Sequence, residues 1–299
     1  MSATMRHSGP TDVHPLQGDT RGIVGPVRLS RAASLNRYPA RGPLDGLVGQ
    51  FWAVRWSLPD GVEHTQAVLT HPGVNISVGS AEAEPERIEA GVHGVVTRDL
   101  FNRVLRRSGW TVGARAAPGG IGAFLAVPAQ EVTDRVVGVD SLGLDEPELV
   151  AAMTATEDEA GRVDILAAAL TSSLERADPA RVAAARDVTG VARLAETDRH
   201  LRRVEQLAEA AGIGVRSLQR LFREHAGVSP TWVLRRYRLL DAAERVRAGE
   251  PVSWAEVARE LGFADQAHLV RDFRSALGET PAVYARARQR EGSAGAVQE

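Results

Sequence analysis

The 299-residue chain contains no cysteine and no lysine, so all 36 of its basic residues are arginine. Without cysteine the chain has no disulfide, no thiol nucleophile and no cysteine-based zinc or iron–sulfur site, which fits a reducing, cytoplasmic location. No apolar run approaches the roughly 18 residues of a membrane-spanning helix, so we expect no membrane partner. The N-terminus also lacks the apolar segment of a secretory signal, and we predict a flexible leader over residues 1–26.

Charge is distributed unevenly along the chain. Residues 1–199 carry 20 arginines and 25 acidic residues, a net charge of −5, whereas residues 200–290 carry 16 arginines and 11 acidic residues, a net charge of +5. Residues 291–299 add −2 and are predicted to form a flexible tail. A basic C-terminal third on an otherwise acidic protein indicates a polyanionic partner.

The basic third contains one sequence unit twice, over residues 206–233 and 256–284. Each copy predicts a short helix, a glycine-containing turn of a few residues and a second helix, which is the helix-turn-helix pattern. The matched pairs are Leu207/Val257, Gly212/Gly262, Leu218/Leu269, Arg220/Arg271, Phe222/Phe273, Gly227/Gly278 and Pro230/Pro281.

The second helix of each unit, called here the first and the second recognition helix, has an apolar face and an opposite face rich in arginine and glutamine. These side chains pair with guanine and adenine edges in the major groove of DNA. A single polar face is usually only solvated, but its repetition on two turn-helix units favours DNA binding. The predicted base contacts are Arg216, Gln219, Arg220, Gln266, His268 and Arg271, and the predicted phosphate contacts are Arg223, Ser217 and Arg274.

A long helix is predicted between the two units. Ser229 is its N-cap, Pro230 its first residue and Gly249 its end, so it has about 18 residues and a length of roughly 27 Å. Such a rod places two recognition helices about one DNA turn, roughly 34 Å, apart. Its arginines are expected to solubilise the helix, with phosphate contact as the alternative. They include Arg235, Arg236, Arg245 and Arg247.

The segment "VARELGFADQAHLVRDFRSALGETPAVYAR", with the repeat before it, resembles the DNA-binding domain of AraC/XylS-type transcriptional regulators. The resemblance extends from near Pro179 to Arg288 and predicts a DNA-binding domain over residues 178–290. It implies double-stranded promoter DNA as a partner, contact with RNA polymerase, a homodimer and more often activation than repression. Val270 departs from the family pattern, which often has a polar residue there. We therefore expect the second recognition helix to carry less sequence information than the first.

The N-terminal two-thirds have a different pattern, and the whole chain is predicted to be α+β. Short apolar runs broken by glycine and proline over residues 27–144 predict a β-rich sandwich or barrel, and the Ala/Leu-rich residues 145–177 predict a helical connector. With the segments "YPARGPLDGLVGQFWAVRW" and "ARAAPGGIGAFL", residues 27–144 resemble the cupin-like sensor domains that precede this type of DNA-binding domain. That resemblance implies dimerisation or a small-molecule effector, but no matched motif identifies effector-binding residues.

Three features of this region have a structural and a functional interpretation. The glycines of Gly119–Phe124 lack the spacing of a dinucleotide site and predict a turn with close backbone approach. His64, His71 and His93 lack the ligand spacing of a metal-binding cupin, so we predict neither metal nor cofactor. Trp52, Trp56 and Trp110 either line an effector pocket or fill the core.

The sequence thus predicts a cytoplasmic DNA-binding transcriptional regulator that is not an enzyme. Two alternatives stay open at this point. One is a metal-dependent cupin-type enzyme fused to a DNA-tethering domain. The other is a regulator whose N-terminal domain binds another protein.

Overall fold

The computed structural model describes residues 16, 20–98, 100–247, 253–260 and 262–286, and their fold is α+β. After a short helix, α1 (Pro26–Ser30), the described N-terminal residues form eight strands. They are β1 (Ala33–Tyr38), β2 (Val48–Ser57), β3 (Glu63–Val68), β4 (Asn75–Ser80), β5 (Ile88–His93), β6 (Phe101–Arg106), β7 (Ser108–Ala116) and β8 (Val136–Val137). Six strands pair as an antiparallel sheet in the order β1-β2-β7-β4-β5-β8, and β3 pairs with β6.

Strand register decides which tryptophans share a face of the large sheet. Trp56 lies opposite Gly109 and Trp52 opposite Gly113 across β2 and β7, and each indole covers its glycine, where a Cβ would collide with the ring. Trp110 follows Gly109 in β7, so its side chain points to the other face. The hypothesis of one pocket lined by the three tryptophans is therefore wrong, and Trp56 is a buried core residue.

The stretch predicted as a helical connector, residues 145–177, forms two helices. Each begins after an aspartate whose carboxylate accepts a backbone N–H at 2.8 Å, Asp145 for the first and Asp158 for the second. The second helix packs on β2 and β7, and Leu166 and Leu170 are fully buried. This stretch thus covers one face of the sheet. The helices are α2 (Glu146–Thr154) and α3 (Glu159–Glu175).

The C-terminal third is helical and contains two helix-turn-helix units joined by a long helix, as predicted. In chain order the helices are α4 (Pro179–Thr197), α5 (Val204–Ala210), α6 (Val215–His225), α7 (Pro230–Arg247), α8 (Trp254–Glu260) and α9 (Gln266–Leu277). Helices α5 and α6 form the first unit and α8 and α9 the second. The recognition helices are therefore α6 and α9.

The glycine-rich segment after β7 brings the helical region onto the sheet region. It contains a 3-10 helix over Gly120–Ala123, which confirms the predicted turn. A Cβ on Gly122 would lie 2.6 Å from the Cα of His225 in α6, and one on Gly119 would lie 2.9 Å from the Cβ of Val188 in α4. Only glycine allows the backbone of this segment to approach α4 and α6 so closely. The segment therefore packs both helices against the sheet region.

The contact between residues 119–134 and helices α4, α6 and α7 is called here the interdomain joint. The buried apolar side chains on its two sides form one continuous cluster, which extends from Phe51 in β2 through Phe222 in α6 to Phe273 in α9. The sheet region and the helical region therefore share a core.

Helix α7 is largely buried, which corrects the expectation for Arg236. Arg238, for which no expectation was stated, is buried as well. Arg236 and Arg238 are 3% and 2% exposed. The Nη2 of Arg236 donates to the carbonyl oxygen of Val96 at 3.1 Å. The Nη2 of Arg238 donates to the carbonyl oxygens of Asp198 and Leu201 at 3.0 and 2.9 Å. These two side chains bind backbone, so neither solubilises the helix or reaches a DNA phosphate.

The predicted leader, residues 1–26, includes a segment that belongs to the fold. Arg21 forms an ion pair with Asp241 of α7 at 2.6 Å, and Ile23 forms a β-bridge with Val68. Several predicted features lie outside the described residues: positions 1–15 and 17–19 of the leader, the helix end at Gly249, the side chain of Arg247, residues 287–290 and the tail 291–299.

Candidate nucleic-acid interface

The two helix-turn-helix units have the same turn geometry. The glycine after the first helix has a left-handed backbone in both, with φ of 67° at Gly212 and 75° at Gly262. The next amide donates to the carbonyl five residues earlier, at 3.1 Å from Ile213 and 2.8 Å from Phe263. A side chain at either glycine would strain this turn. The equivalence confirms the internal repeat.

The helix starts after the two recognition helices repeat as well. The Oγ of Ser229 accepts the amide N–H three residues later at 3.1 Å, and the Oγ1 of Thr280 does the same at 3.4 Å. Pro230 and Pro281 follow these caps, at the position where a helix does not need the missing N–H. The helix that follows each recognition helix therefore starts with the same local chemistry.

Helix α6 presents all its predicted DNA-binding side chains to solvent. Leu218 and Phe222, on the opposite face, are 1% and 0% exposed and anchor the helix in the core. Within the described part of the chain, neither Arg216 nor Arg220 forms an ion pair, so their guanidinium donors stay free for a partner. The exposed residues are Arg216, Ser217, Gln219, Arg220 and Arg223.

Helix α9 presents a weaker version of this face. Asp265 caps the helix by accepting the N–H of His268 at 2.7 Å. The His268 ring is half-buried, edge-on to Phe263, with its Nε2 3.7 Å from the Oδ2 of Asp272. Sequence analysis passed over Asp272, although its i,i+4 spacing from His268 could have identified the pair. The predicted residues that are fully exposed on α9 are Gln266, Arg271 and Arg274.

Sequence analysis did not identify the side chains that position α6, which are those of Arg181 and Thr133. Arg181 of α4 donates to the carbonyl oxygen of Gly122 at 2.8 Å and forms an ion pair with Glu224 at 2.9 Å. The Oγ1 of Thr133 donates to the carbonyl oxygen of Gly227, just after α6, at 2.8 Å. The glycines of the segment were the only sequence signal for this contact, and they did not reveal its partner.

The histidines considered as metal ligands have other contacts. The Nε2 of His64 lies 3.2 Å from the Oε1 of Gln66, and the Nε2 of His93 lies 2.9 Å from the Oγ of Ser77. Burial, followed by the charges of nearby arginines, holds the pKa of His71 well below its usual value. Among the described residues, no three histidine or carboxylate side chains converge as a metal site would require.

Comparisons with known proteins match the two halves of the chain separately. A family model described as "Helix-turn-helix domain" matches residues 207–287, and one described as "Domain of unknown function (DUF6597)" matches residues 36–138. In the described part of the chain, no helix has the length and apolar character to cross a membrane.

Two relatives illustrate the similarity. The transcriptional activator NphR of Rhodococcus sp is 32% identical over 157 residues, which is 52% of this chain and 46% of NphR. The transcriptional regulator GlxA of Rhizobium meliloti is 37% identical over 87 residues, 29% of this chain and 26% of GlxA. The chain thus matches less than half the length of either relative.

Among solved structures, ToxT from Vibrio cholerae aligns with 85% of this chain and 98% of its own at 11% identity, with a TM-score of 0.38. The duplicated turn geometry and the matched family model together show that the C-terminal part of the chain carries a helix-turn-helix domain similar to those of the transcriptional regulators named above.

Proposed function

We propose that the protein is a sequence-specific DNA-binding transcriptional regulator, acting as an activator as its relative NphR does. The observation that carries this proposal is the pair of equivalent helix-turn-helix units, each with an exposed basic recognition helix. Their outer faces carry the arginine and glutamine side chains that pair with base edges. The protein would act in the cytoplasm, where it reaches promoter DNA and RNA polymerase.

In this proposal Arg216, Gln219 and Arg220 of α6 contact bases, and Arg223 and Ser217 contact phosphates. Helix α9 contributes Gln266 and Arg271 to bases and Arg274 to phosphate, with a smaller share from His268. The 18 residues of α7 span roughly 27 Å, which suits successive major grooves on one side of the duplex.

The N-terminal region is proposed to sense a small molecule or to dimerise, without catalysis. The alternative of a metal-dependent enzyme receives no support from His64 and His93, whose ring nitrogens already contact Gln66 and Ser77. A protein partner for this region stays an alternative, which a pull-down with the full chain would test.

The test is selection of bound DNA from a random pool with the full chain at physiological salt. The full chain is needed because α4, α6 and α7 pack on the sheet region. We expect two short enriched clusters about one helical turn apart. No enriched sequence would contradict the proposal, and one cluster would restrict base recognition to one helix.

Arg220→Ala then tests the placement of α6 on the selected site. We expect a loss of about 1–3 kcal/mol in binding free energy and relaxed preference at one base pair. The matched control is Arg28→Ala, an exposed arginine of α1, which should leave affinity and preference unchanged. Equal affinity of wild type and Arg220→Ala for cognate and random DNA would exclude α6 as a base-contacting helix.

A further inference from the structure

A pocket of about 200 Å³ lies between the two helix-turn-helix units. The chain between α4 and α5 contributes Arg199, His200 and Arg202, and the end of α8 contributes Glu260. None of the predicted DNA contacts on α6 and α9 lines this pocket. The lining residues from α7 are Arg238, Asp241 and Arg245.

The pocket carries a surplus of positive charge. Four arginines and two carboxylates line it, which leaves two positive charges without counting His200. Both carboxylates are already engaged. The Oδ1 of Asp241 pairs with Arg21, which lies outside the pocket, at 2.6 Å, and the Oε2 of Glu260 pairs with Arg245 at 2.6 Å. Such a lining favours an anion with more than one negative charge.

Arg238 is the fully buried residue of the lining, with 2% of its surface exposed. Its Nη2 is satisfied by two backbone carbonyl oxygens, but its Nε and Nη1 donate to no acceptor in the part of the chain that the structure describes. The Oδ2 of Asp241 is 3.8 Å from Nη1, which is too far for a hydrogen bond. Because an unpaired buried donor costs free energy, an acceptor that reaches these nitrogens would bind favourably.

The charges around Arg238 point the same way. Burial lowers the pKa of Arg238, the charge of Asp241 opposes that shift, and the charges of Arg199 and Arg202 add to it. The exposed side chain of Arg199 forms no ion pair within the described ranges of the chain. An anion between these arginines would relieve their repulsion.

Hydrogen phosphate suits the pocket in charge and in chemistry. Its two negative charges match the surplus, and guanidinium groups bind phosphate oxygens through paired N–H donors. The Oδ2 of Asp241 accepts no hydrogen bond from the described residues, so it is an acceptor for the O–H of hydrogen phosphate. Sulfate has the same shape and charge but no proton to donate, so the carboxylate would repel it.

The burial of Arg238 favours a free ion over a phosphate of the DNA backbone. A backbone phosphate carries a sugar on either side, which keeps it from entering far enough to reach a side chain that is 2% exposed. A pocket of about 200 Å³ is also smaller than the usual sites for larger organic ligands.

We propose that this pocket binds one hydrogen phosphate ion through Arg199, Arg202 and Arg238, and that the ion holds the two helix-turn-helix units in one arrangement. The ion would connect the chain before α5 to α7, beside the end of α8. The Nη1 of Arg202 already donates to the carbonyl oxygen of Arg259 in α8 at 3.4 Å. This site goes beyond the proposed DNA-binding function and does not depend on it.

The first experiment is calorimetric titration of the full chain with inorganic phosphate at pH 8. We expect one ion per chain and at least fivefold weaker binding of sulfate. Arg199→Glu should weaken phosphate binding at least tenfold, and this side chain makes no ion pair whose loss would unfold the described structure. The control Arg193→Glu makes the same charge change at an exposed position of α4 outside the pocket and should stay within twofold of wild type.

Three outcomes of this titration would overturn the site. They are no phosphate binding by the wild type, sulfate binding as tight as phosphate binding, and equal losses in Arg199→Glu and Arg193→Glu.

The second experiment measures amide hydrogen exchange in α5 and α8, with phosphate and with sulfate at equal ionic strength. Sulfate is the reference because both ions also stabilise proteins by exclusion from their surface. We expect at least threefold slower exchange in both helices with phosphate in the wild type, and no difference between the ions in Arg199→Glu. Unchanged exchange in the wild type, or equal slowing in the variant, would overturn the role in holding the two units.

The third experiment repeats the phosphate titration in the presence of a saturating duplex of random sequence. We expect a phosphate affinity within fivefold of that without DNA. A greater loss would show that a backbone phosphate occupies the pocket, and would overturn the assignment to a free ion. In a chain that binds no DNA, the first two experiments still decide the phosphate site, so the two proposals fail separately.

Discussion

At the scale of single residues, the interdomain joint depends on glycines such as Gly122. A Cβ at position 122 would lie 2.6 Å from the Cα and 2.7 Å from the Cβ of His225. His225 belongs to the packed helix α6, so its backbone cannot easily move away. Overpacking at such a site costs free energy because the two backbones must separate. Gly190, in the exposed face of α4, has no atom within 4 Å of the same hypothetical Cβ.

Replacement of glycine by alanine should have opposite effects on the free energy of unfolding at Gly122 and Gly190. Gly122→Ala should lower the free energy of unfolding by roughly 1–3 kcal/mol through overpacking. Gly190→Ala should raise it by about 0.5–1 kcal/mol, because alanine is the better residue inside a helix. Urea unfolding of both variants measures the difference. A Gly122→Ala protein as stable as wild type would mean that the joint does not pack as described.

Buried histidines predict a pH dependence. Burial, as the first cause, lowers the pKa of His71, His93 and His225, so the folded state binds fewer protons than the unfolded state. Their stabilising contribution is fully present above the unfolded pKa, about 6.5, and is lost as the pH falls through the folded values. Urea unfolding between pH 8 and pH 5 should show this decline.

His225→Gln tests how much of this pH dependence of stability comes from the histidine in the interdomain joint. Arg181 adds to the lowering of the pKa of His225, while Glu224 and the Gly122 backbone oppose it. Removing this group should flatten the decline below pH 6.5, whatever it does to the stability at pH 8. An identical slope in wild type and variant would show that His225 is not held neutral in the joint.

At the scale of elements, the two recognition helices share geometry but differ in free polar groups. Helix α6 exposes Arg216 and Arg220 without ion pairs among the described residues, whereas α9 holds His268 half-buried beside Phe263 and Asp272. Asp272 also brings a negative charge near a surface that should approach phosphates. The two helix-turn-helix units therefore share a backbone geometry but present surfaces that should bind DNA with unequal affinity.

This inequality predicts unequal mutational effects on the selected DNA. Arg271→Ala should cost about 1 kcal/mol or less, below the cost of Arg220→Ala at the matched position. Asp272→Ala should raise affinity for all sequences alike, because it removes repulsion of phosphates and offers no hydrogen bond to a base edge. Titrations of both variants on cognate and random DNA measure this. A larger loss from Arg271→Ala than from Arg220→Ala would reverse the assignment.

At the scale of the whole molecule, the sheet region and the helical region share one core. Helix α7 is buried along most of its length, and Arg21, from the predicted leader, forms ion pairs with Asp241 of α7 and Glu196 of α4. Contacts across the joint are apolar as well as polar, which favours cooperative behaviour of both parts. Helix α7 thus connects the recognition helices to the sheet region.

The shared core predicts one unfolding transition for the full chain. Trp232 and Trp254 lie in the helical region, so the test uses the Trp232→Phe/Trp254→Phe variant, whose remaining tryptophans are Trp52, Trp56 and Trp110 of the sheet. Its far-UV circular dichroism, which follows the helices, and its tryptophan fluorescence should give coincident urea midpoints. A fragment of residues 178–299 should unfold at lower urea, because it exposes the faces of α4, α6 and α7 that pack on the sheet region. Two separate transitions in the full chain, or a fragment as stable as the full chain, would contradict a common core.

The sequence by itself determined the elements whose signals are local. The turn glycines Gly212 and Gly262, the caps Ser229 and Asp265, and the spacing of apolar and basic residues sufficed to predict both helix-turn-helix units, because a cap or turn involves only neighbouring residues. The α+β class followed in the same way from the change of hydrophobic period between the two parts.

Only the tertiary structure decided which surfaces these elements bury. The sequence marks Arg216 and Arg236 alike as helix arginines, but one is exposed and the other is buried against the carbonyl of Val96, 140 residues away. Strand register placed Trp110 apart from Trp52, and the path of the chain brought Gly122 against His225. Such contacts depend on where distant segments meet, and local spacing carries no information about that.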